Sequence, residues 1–124
     1  MIVYRVEHRK TGDGPYFKKS YIYAELQDLL NDEHNDHELY PAFQYDGITE
    51  AETFKKKSHR SGFSDKLKAA SWFKGFGIKL SDNNFVIAVY EVDEQDVIHG
   101  NSGKQLAFNI EKAELLRAEP IDFE

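Results

Sequence analysis

Arg5 and Glu7 lie two positions apart in a segment, residues 2–7, where apolar and polar side chains alternate. Side chains two positions apart on a β-strand point to the same face of a sheet. A guanidinium suits bidentate contact with phosphate, and a carboxylate accepts a hydrogen bond from a hydroxyl, so the pair could grip a nucleotide in a cleft. An ordinary ion pair on a solvated face explains the same spacing, and we favour it.

His34 and His37 lie three positions apart among four carboxylates, those of Asp32, Glu33, Asp36 and Glu38. Imidazole and carboxylate groups at this spacing could hold a divalent metal if the segment were helical. Neighbouring asparagine and aspartate residues lower its helix propensity. We therefore predict a solvated acidic loop and no metal site.

Charge is divided between two consecutive stretches, which we call the acidic block and the basic block. Residues 20–54 hold nine acidic side chains and no Lys or Arg, whereas residues 54–79 hold eight basic side chains against Asp65 alone. Such separation creates fields that steer charged partners. We predict that the partner-binding residues are Asp28, Asp32, Glu33, Asp36, Glu38, Lys55, Lys56, Lys57 and Arg60.

Each block has a second interpretation. The acids could mimic the phosphates of nucleic acid and occupy a basic groove on a partner, or they could keep an aromatic-rich domain soluble. The basic run, flanked by Phe54, Phe63 and Trp72, has the side chains that contact phosphates and stack on bases. A pI near 5.4 is opposite to the usual basic footprint, so nucleic-acid binding by residues 54–79 stays an alternative to protein docking.

Composition excludes several classes. A length of 124 residues predicts one domain, residues 1–124, with a core of its own. The absence of cysteine excludes disulfides, thiolate metal sites and a cysteine nucleophile. The N-terminus is charged too early for a signal sequence, and the longest apolar run, residues 85–90, is far below the ~20 residues that span a bilayer. We predict a cytoplasmic protein without membrane contact.

The first half of the chain predicts three features. Residues 2–7 read as a strand and residues 11–15 as a turn rich in glycine. Ser20 could cap a helix that extends to about Asn31, because Ile22, Leu26, Leu29 and Leu30 form one apolar stripe. Residues 32–62 show no period and predict a long irregular segment.

The second half predicts a helix and several strands. Ser64 is a suitable N-cap, Ala69, Trp72, Phe73 and Phe76 follow at helical spacing as core residues, and Gly75 and Gly77 supply the stop. Residues 85–92 read as a central strand covered on both faces. A polar connection (93–103), a strand (105–108), a helical turn (111–116) and a terminal strand or tail (119–123) follow. This order predicts an α+β fold with a small mixed or mostly antiparallel sheet and two or three helices.

Short motifs across most of the chain resemble a group of small phage and prophage proteins of unknown function. They are Tyr4-Arg5-Val6-Glu7, Gly14-Pro15-Tyr16, Ser61-Gly62-Phe63-Ser64 before Trp72-Phe73, Val89-Tyr90-Glu91-Val92 and Lys104-Gln105-Leu106-Ala107-Phe108. The resemblance implies a protein that acts in the host cytoplasm and interferes with a host process or defence system.

The same layout is similar, more distantly, to the ADP-ribosyltransferase fold. In that family an Arg or His on the first strand helps to hold NAD, a Ser motif leads into a helix, and a late Glu activates the ribose. The resemblance implies Arg5 and Ser64 as NAD-binding residues and places the catalytic position at Gln105. Glutamine carries no charge, so the transferase chemistry would need another acid, Glu91 or Glu111.

We therefore expect a phage-type protein that binds a host protein or protein complex through its charge-segregated surface and uses no cofactor. The first alternative is a divergent NAD-dependent mono-ADP-ribosyltransferase, and the second is a nucleic-acid binder. The position of Arg5, Ser64 and Gln105 in the fold distinguishes these hypotheses: convergence of the three residues on one pocket would favour a nucleotide site, and scatter would favour surface recognition.

Overall fold

The computed structural model describes residues 1–16 and 24–124, and these contain three α-helices and six strands. In chain order they are β1 (Ile2–His8), α1 (Ala24–Glu33), β2 (His59–Gly62), α2 (Lys66–Trp72), α3 (Gly77–Asp82), β3 (Phe85–Glu91), β4 (Val97–His99), β5 (Leu106–Asn109) and β6 (Glu114–Glu119). The predicted α+β class is confirmed. The predicted cap Ser20 and stripe residue Ile22 lie outside the described residues, and α1 continues two residues past Asn31.

The strands form two antiparallel three-stranded sheets, ordered β1-β3-β6 and β2-β5-β4. Backbone hydrogen bonds of 2.9 and 2.8 Å between Tyr4 and Phe63 join β1 to the end of β2. A side chain at Gly62 would place its Cβ 2.5 Å from Val3 Cγ1, so glycine allows the two strands to approach. The spatial order of the six strands is therefore β4-β5-β2-β1-β3-β6.

β3 is the centre of the first sheet, as its sequence predicts. Its first six residues are buried, and it pairs with β1 on one side and β6 on the other. One apolar cluster packs α1, α2 and α3 against the β1–β3 ladder, and a second combines Val3, Tyr90 and Phe108 from both sheets. Trp72, Phe73 and Phe76 belong to the first cluster, which confirms their assignment to the core.

The second helical region differs from the prediction at both ends. Asp65, not Ser64, is the N-cap of α2, since its side chain accepts a 2.8 Å hydrogen bond from Lys68 N. Gly75 follows the helix with a φ of +88°, a conformation that glycine adopts readily. Gly77 does not end the helical region but begins α3.

Three strands were absent from the sequence prediction. β2 lies at the end of the segment predicted to be irregular, and β4 lies inside the predicted polar connection. The helical turn predicted for residues 111–116 is wrong: a short 3-10 helix, Ile110–Lys112, leads directly into β6, which pairs with β3. Residues after β6 form a tail whose Ile121 and Phe123 pack against the helical cluster.

None of the helices within residues 1–16 and 24–124 is long and apolar enough to cross a lipid bilayer.

Candidate functional site

A cavity with a volume of about 1080 Å³ lies where the two sheets meet. Its walls come from the turn after β1, the end of α1, the segment 40–43, β2 and α2. Aromatic side chains line one part of it (Tyr16, Tyr40, Phe43, Phe63, Trp72 and Phe73), and cationic side chains line another (Arg5, Lys56, Lys57 and Arg60). Arg5 and Val6 of β1 and Gln105 before β5 also belong to the described lining, so stretches far apart in the sequence build one site.

Arg5 lies in the wall of this pocket and is only 4 % exposed. Its Nη1 donates to the backbone oxygen of Ser61 at 2.9 Å and to Ser61 Oγ at 3.2 Å, and its Nη2 donates to Gly12 O at 3.3 Å. Its Nε is buried without a hydrogen-bond partner in the described structure. Burial lowers the pKa of the guanidinium, and the negative charge of Glu7 opposes that shift.

Glu7 supports Arg5 from the same strand, with 3.4 Å between Glu7 Oε1 and Arg5 Nε. The Tyr90 hydroxyl donates a 2.7 Å hydrogen bond to the same carboxylate. Burial raises the pKa of Glu7, while Tyr90 and Arg5 act in the opposite direction. An ion pair is therefore present, but it joins two residues of one strand rather than two strands. The expectation of a solvated face is wrong, because the two side chains are 5 % and 12 % exposed.

Gln105 lines the pocket just before β5 and is buried. Its Nε2 donates to the backbone oxygen of Pro41 and, at 3.1 Å, to Asp46 Oδ2. Asp46 also accepts from Ser102 N at 2.7 Å and Ser102 Oγ at 2.9 Å. An acid at position 105 would meet this buried carboxylate, whereas an amide donates to it, so the local packing favours glutamine.

Arg5 and Gln105 thus line the same pocket, whereas Ser64 is outside its lining. The serine that reaches Arg5 is Ser61, three positions earlier, because the pairing of β2 with β5 turns residue 61 toward the first strand. The two substitute acids are exposed and also outside the lining: Glu91 is the last residue of β3, and Glu111 lies in the 3-10 helix before β6. Asp13 is the one acid among the described lining residues.

Two consecutive hydrogen bonds connect Trp72, Tyr16 and His34 in the lining of the pocket. No sequence pattern indicated them. Trp72 Nε1 donates to the Tyr16 hydroxyl at 2.9 Å, which leaves that hydroxyl to donate to His34 Nδ1. His34 also stacks on Tyr40, with ring centroids 3.9 Å apart. Burial lowers the pKa of His34 to about 4, so at neutral pH the ring is uncharged.

His37 packs on Tyr45, with ring centroids 4.3 Å apart. No group of three or more potential metal-ligating side chains occurs in the part of the chain that the structure describes. The predicted acidic loop begins at His34, where α1 has ended.

The basic block reaches the mouth of the pocket. Lys56 and Lys57 are exposed and line it, and Arg60 is half-buried, with Nη1 donating to Lys57 O at 2.9 Å and to His59 O at 3.2 Å. Lys55 is exposed beside them. The basic residues at positions 55–60 are therefore partly on the exposed surface and partly in the lining of the cavity.

The acidic block is a surface as well, with one exception. Eight of its nine carboxylates are exposed, including those of Asp28, Asp32, Glu33, Asp36 and Glu38, whereas Asp46 is 1 % exposed. Within residues 1–16 and 24–124, no ion pair joins the acidic block to the basic block. Lys66 of the basic block pairs instead with Glu119 at 2.9 Å and with Asp122 at 3.4 Å.

Comparison with known proteins gives one family. No match was found among curated proteins or among solved structures, so the comparisons add no support for an ADP-ribosyltransferase fold. The model of the bacteriophage T4 Y00F protein family matches residues 1–122, nearly the whole chain. The resemblance to small phage proteins is thereby confirmed, and this chain belongs to the bacteriophage T4 Y00F protein family.

Proposed function

We propose that this phage protein binds a host protein or protein complex in the host cytoplasm and inhibits or modulates a host process or defence system. The acidic face of Asp28, Asp32, Glu33, Asp36 and Glu38 occupies a basic groove of the partner, and Lys55, Lys56, Lys57 and Arg60 contact an acidic part of it. The observation that supports this proposal is the lack of any ion pair between the two blocks in the described structure. Charges left unpaired within the chain remain available to steer a partner.

Capture of host proteins on the immobilised chain tests the proposal, with the same lysate applied at low and at physiological salt. The expected result is one host protein or complex whose association slows as salt rises, because the Debye length falls to about 8 Å at 0.15 M. A variant with Asn or Gln at the five acidic positions 28, 32, 33, 36 and 38 should no longer capture this host protein or complex.

A matched control separates this face from net charge. Neutralising five other exposed acids (Asp82, Glu91, Asp93, Glu111 and Glu114) changes the net charge by the same amount and should leave capture intact. Equal losses in both variants, or capture that is indifferent to salt, would contradict a specific acidic face. A steep salt dependence with oligonucleotides, lost on neutralising Lys55, Lys56 and Lys57, would instead favour the nucleic-acid alternative.

The NAD-dependent transferase is the second candidate, supported by the presence of Arg5 and Gln105 on one pocket. Such chemistry requires an acid, and Asp13 is the one acid among the described lining residues. Incubation with labelled NAD and host lysate tests it. Transfer of label that depends on Arg5 and Asp13 would favour the enzyme, and absence of both transfer and NAD binding would eliminate it.

A further inference from the structure

We infer that the pocket between the sheets binds a nucleoside phosphate, with the phosphate at the cationic wall and the base against the aromatic wall. This goes beyond the proposed surface recognition and does not depend on it. The acidic face and the pocket are separate, because none of its five carboxylates is among the lining residues.

The cationic wall is suited to an anion. Among the described lining residues, four side chains are cationic and one, that of Asp13, is a carboxylate. Arg60 uses only Nη1 for its hydrogen bonds in the described structure, so its Nε and Nη2 are left to donate. A guanidinium with free donors at a pocket wall is suited to phosphate oxygens.

A buried donor points to the same occupant. Asn31 Nδ2 is buried without a hydrogen-bond partner in the described structure, and Asn31 lines this pocket. Buried polar atoms are rarely left unpaired in native proteins, so this donor calls for an explanation. An oxygen atom of a phosphate or ribose would accept from it.

The aromatic wall is suited to a planar ring. Tyr40 is held by stacking on His34 and by an edge contact with Trp72, whose ring centroid is 5.4 Å away. Phe63 packs against Trp72, with centroids 5.8 Å apart. Bases stack on such rings whatever their sequence. His34 is uncharged at neutral pH, so it adds no charge to the aromatic lining.

The size of the pocket favours a small ligand over a polymer. Its volume of about 1080 Å³ is close to the upper limit of small-molecule sites, which have roughly 300–1,000 Å³. Asp36 and Glu38 are exposed on either side of the lining residue His37, so a strand leaving by this side would meet two carboxylates.

Isothermal titration of the full chain with AMP, ATP, NAD, adenosine and inorganic phosphate tests the inference. AMP or ATP should bind, and adenosine and phosphate alone should each bind at least about tenfold more weakly, because each lacks one half of the ligand. Arg60→Ala should weaken nucleotide binding at least about tenfold, the value of one charge-assisted contact, whereas Lys74→Ala, an exposed lysine outside the pocket, should not.

Tyr40→Leu should also weaken binding, and Tyr45→Leu, which changes a tyrosine outside the pocket, is its control. The circular dichroism spectrum of each variant checks that the fold is kept. The acid-neutralised variant should bind nucleotide as well as the parent, so failure of host capture and failure of nucleotide binding are distinguishable.

Four results would overturn the inference. One is no binding of AMP or ATP at millimolar concentration, and another is equal affinity for adenosine and AMP. The third is binding of NAD without binding of AMP or ATP, which would assign the pocket to the NAD-dependent transferase. Tighter binding of oligonucleotides than of ATP would assign the pocket to a nucleic-acid strand instead.

Discussion

Asp46 connects two segments that are far apart in the chain. Its carboxylate accepts from Ser102 and Gln105, and a Cβ at Gly100 would lie only 2.1 Å from Asp46 Oδ2. The loop 100–103 is therefore folded around this side chain, which explains why one acid of the acidic block is buried. Sequence reasoning grouped Asp46 with the surface acids because its partners follow more than 50 positions later.

Gln105→Glu should destabilise the fold by about 2–4 kcal/mol at pH 7, since it replaces a donor by a second buried carboxylate beside Asp46. The new pair would have a raised pKa, so the folded state would bind more protons than the unfolded state and the deficit would shrink as the pH falls. Urea unfolding at pH 7 and pH 4.5 measures this.

The double variant Asp46→Asn with Gln105→Glu serves as the control, because it restores one donor and one acceptor. It should recover at least about 1 kcal/mol relative to the sum of the single variants. Two results would contradict a contact between Gln105 and Asp46: stability changes of the two single variants that simply add in the double variant, or a loss of stability in Gln105→Glu that does not change with pH.

His34 should make stability depend on pH. Its pKa is lowered from 6.5 to about 4 in the folded protein, so between these values the unfolded chain binds a proton that the folded chain does not. The stabilisation is fully present above pH 6.5 and is lost as the pH falls toward 4. Because the ring is half-buried, we expect a loss of about 1–2 kcal/mol rather than the full value of the shift.

Urea unfolding of the parent and of His34→Gln from pH 7 to pH 4.5 isolates this contribution. Glutamine keeps an acceptor for the Tyr16 hydroxyl but does not titrate, so the stability difference between the two proteins should change over this range. Parallel pH profiles would contradict the assigned protonation state of His34.

Elements whose own residues carry the pattern were predictable from sequence. β3 is apolar on both faces, and it lies buried in the sheet as expected. Ala69, Trp72, Phe73 and Phe76 recur at helical spacing, and these four side chains pack in the core as expected. β6 was misread because its residues, Glu-Leu-Leu-Arg-Ala-Glu, are good helix formers, and pairing with β3 overrides that preference. β2 and β4 have four and three residues, too few to show alternation.

The pocket could not be predicted for a related reason. Arg5, His34, Tyr40 and Arg60 come from separate parts of the chain, and only the register of β1 and β2 decides that Ser61, not Ser64, faces Arg5. No local sequence pattern predicts that these distant residues come together.

The cap of α2 gives a test at the scale of one element. Asp65→Ala should lower the free energy of unfolding by about 1 kcal/mol, because it removes the hydrogen bond to Lys68 N. Ser64→Ala is the matched control and should have a smaller effect, since Ser64 does not cap the helix. Urea unfolding of both variants measures the difference, and a larger loss in Ser64→Ala would contradict the cap assignment.

For the whole molecule, segregated charge implies that the acidic face contributes little to folding. Neutralising Asp28, Asp32, Glu33, Asp36 and Glu38 should change the free energy of unfolding by no more than about 1 kcal/mol, because no described ion pair uses these carboxylates. A slight gain at low salt is expected, since the variant has less self-repulsion. Urea unfolding at low and at high salt measures the change. A loss of several kcal/mol would show that the acidic face stabilises the fold.

The pairing of β1 with β3, from Ile2 opposite Glu91 to His8 opposite Phe85, has a consequence during synthesis. The first strand leaves the ribosome about 80 residues before its partner is made, a delay of roughly 4–16 s at about 5–20 residues per second. Throughout that interval β1 lacks the neighbouring strand along which most of its length pairs in the folded protein, and host chaperones are the proteins equipped to shield it.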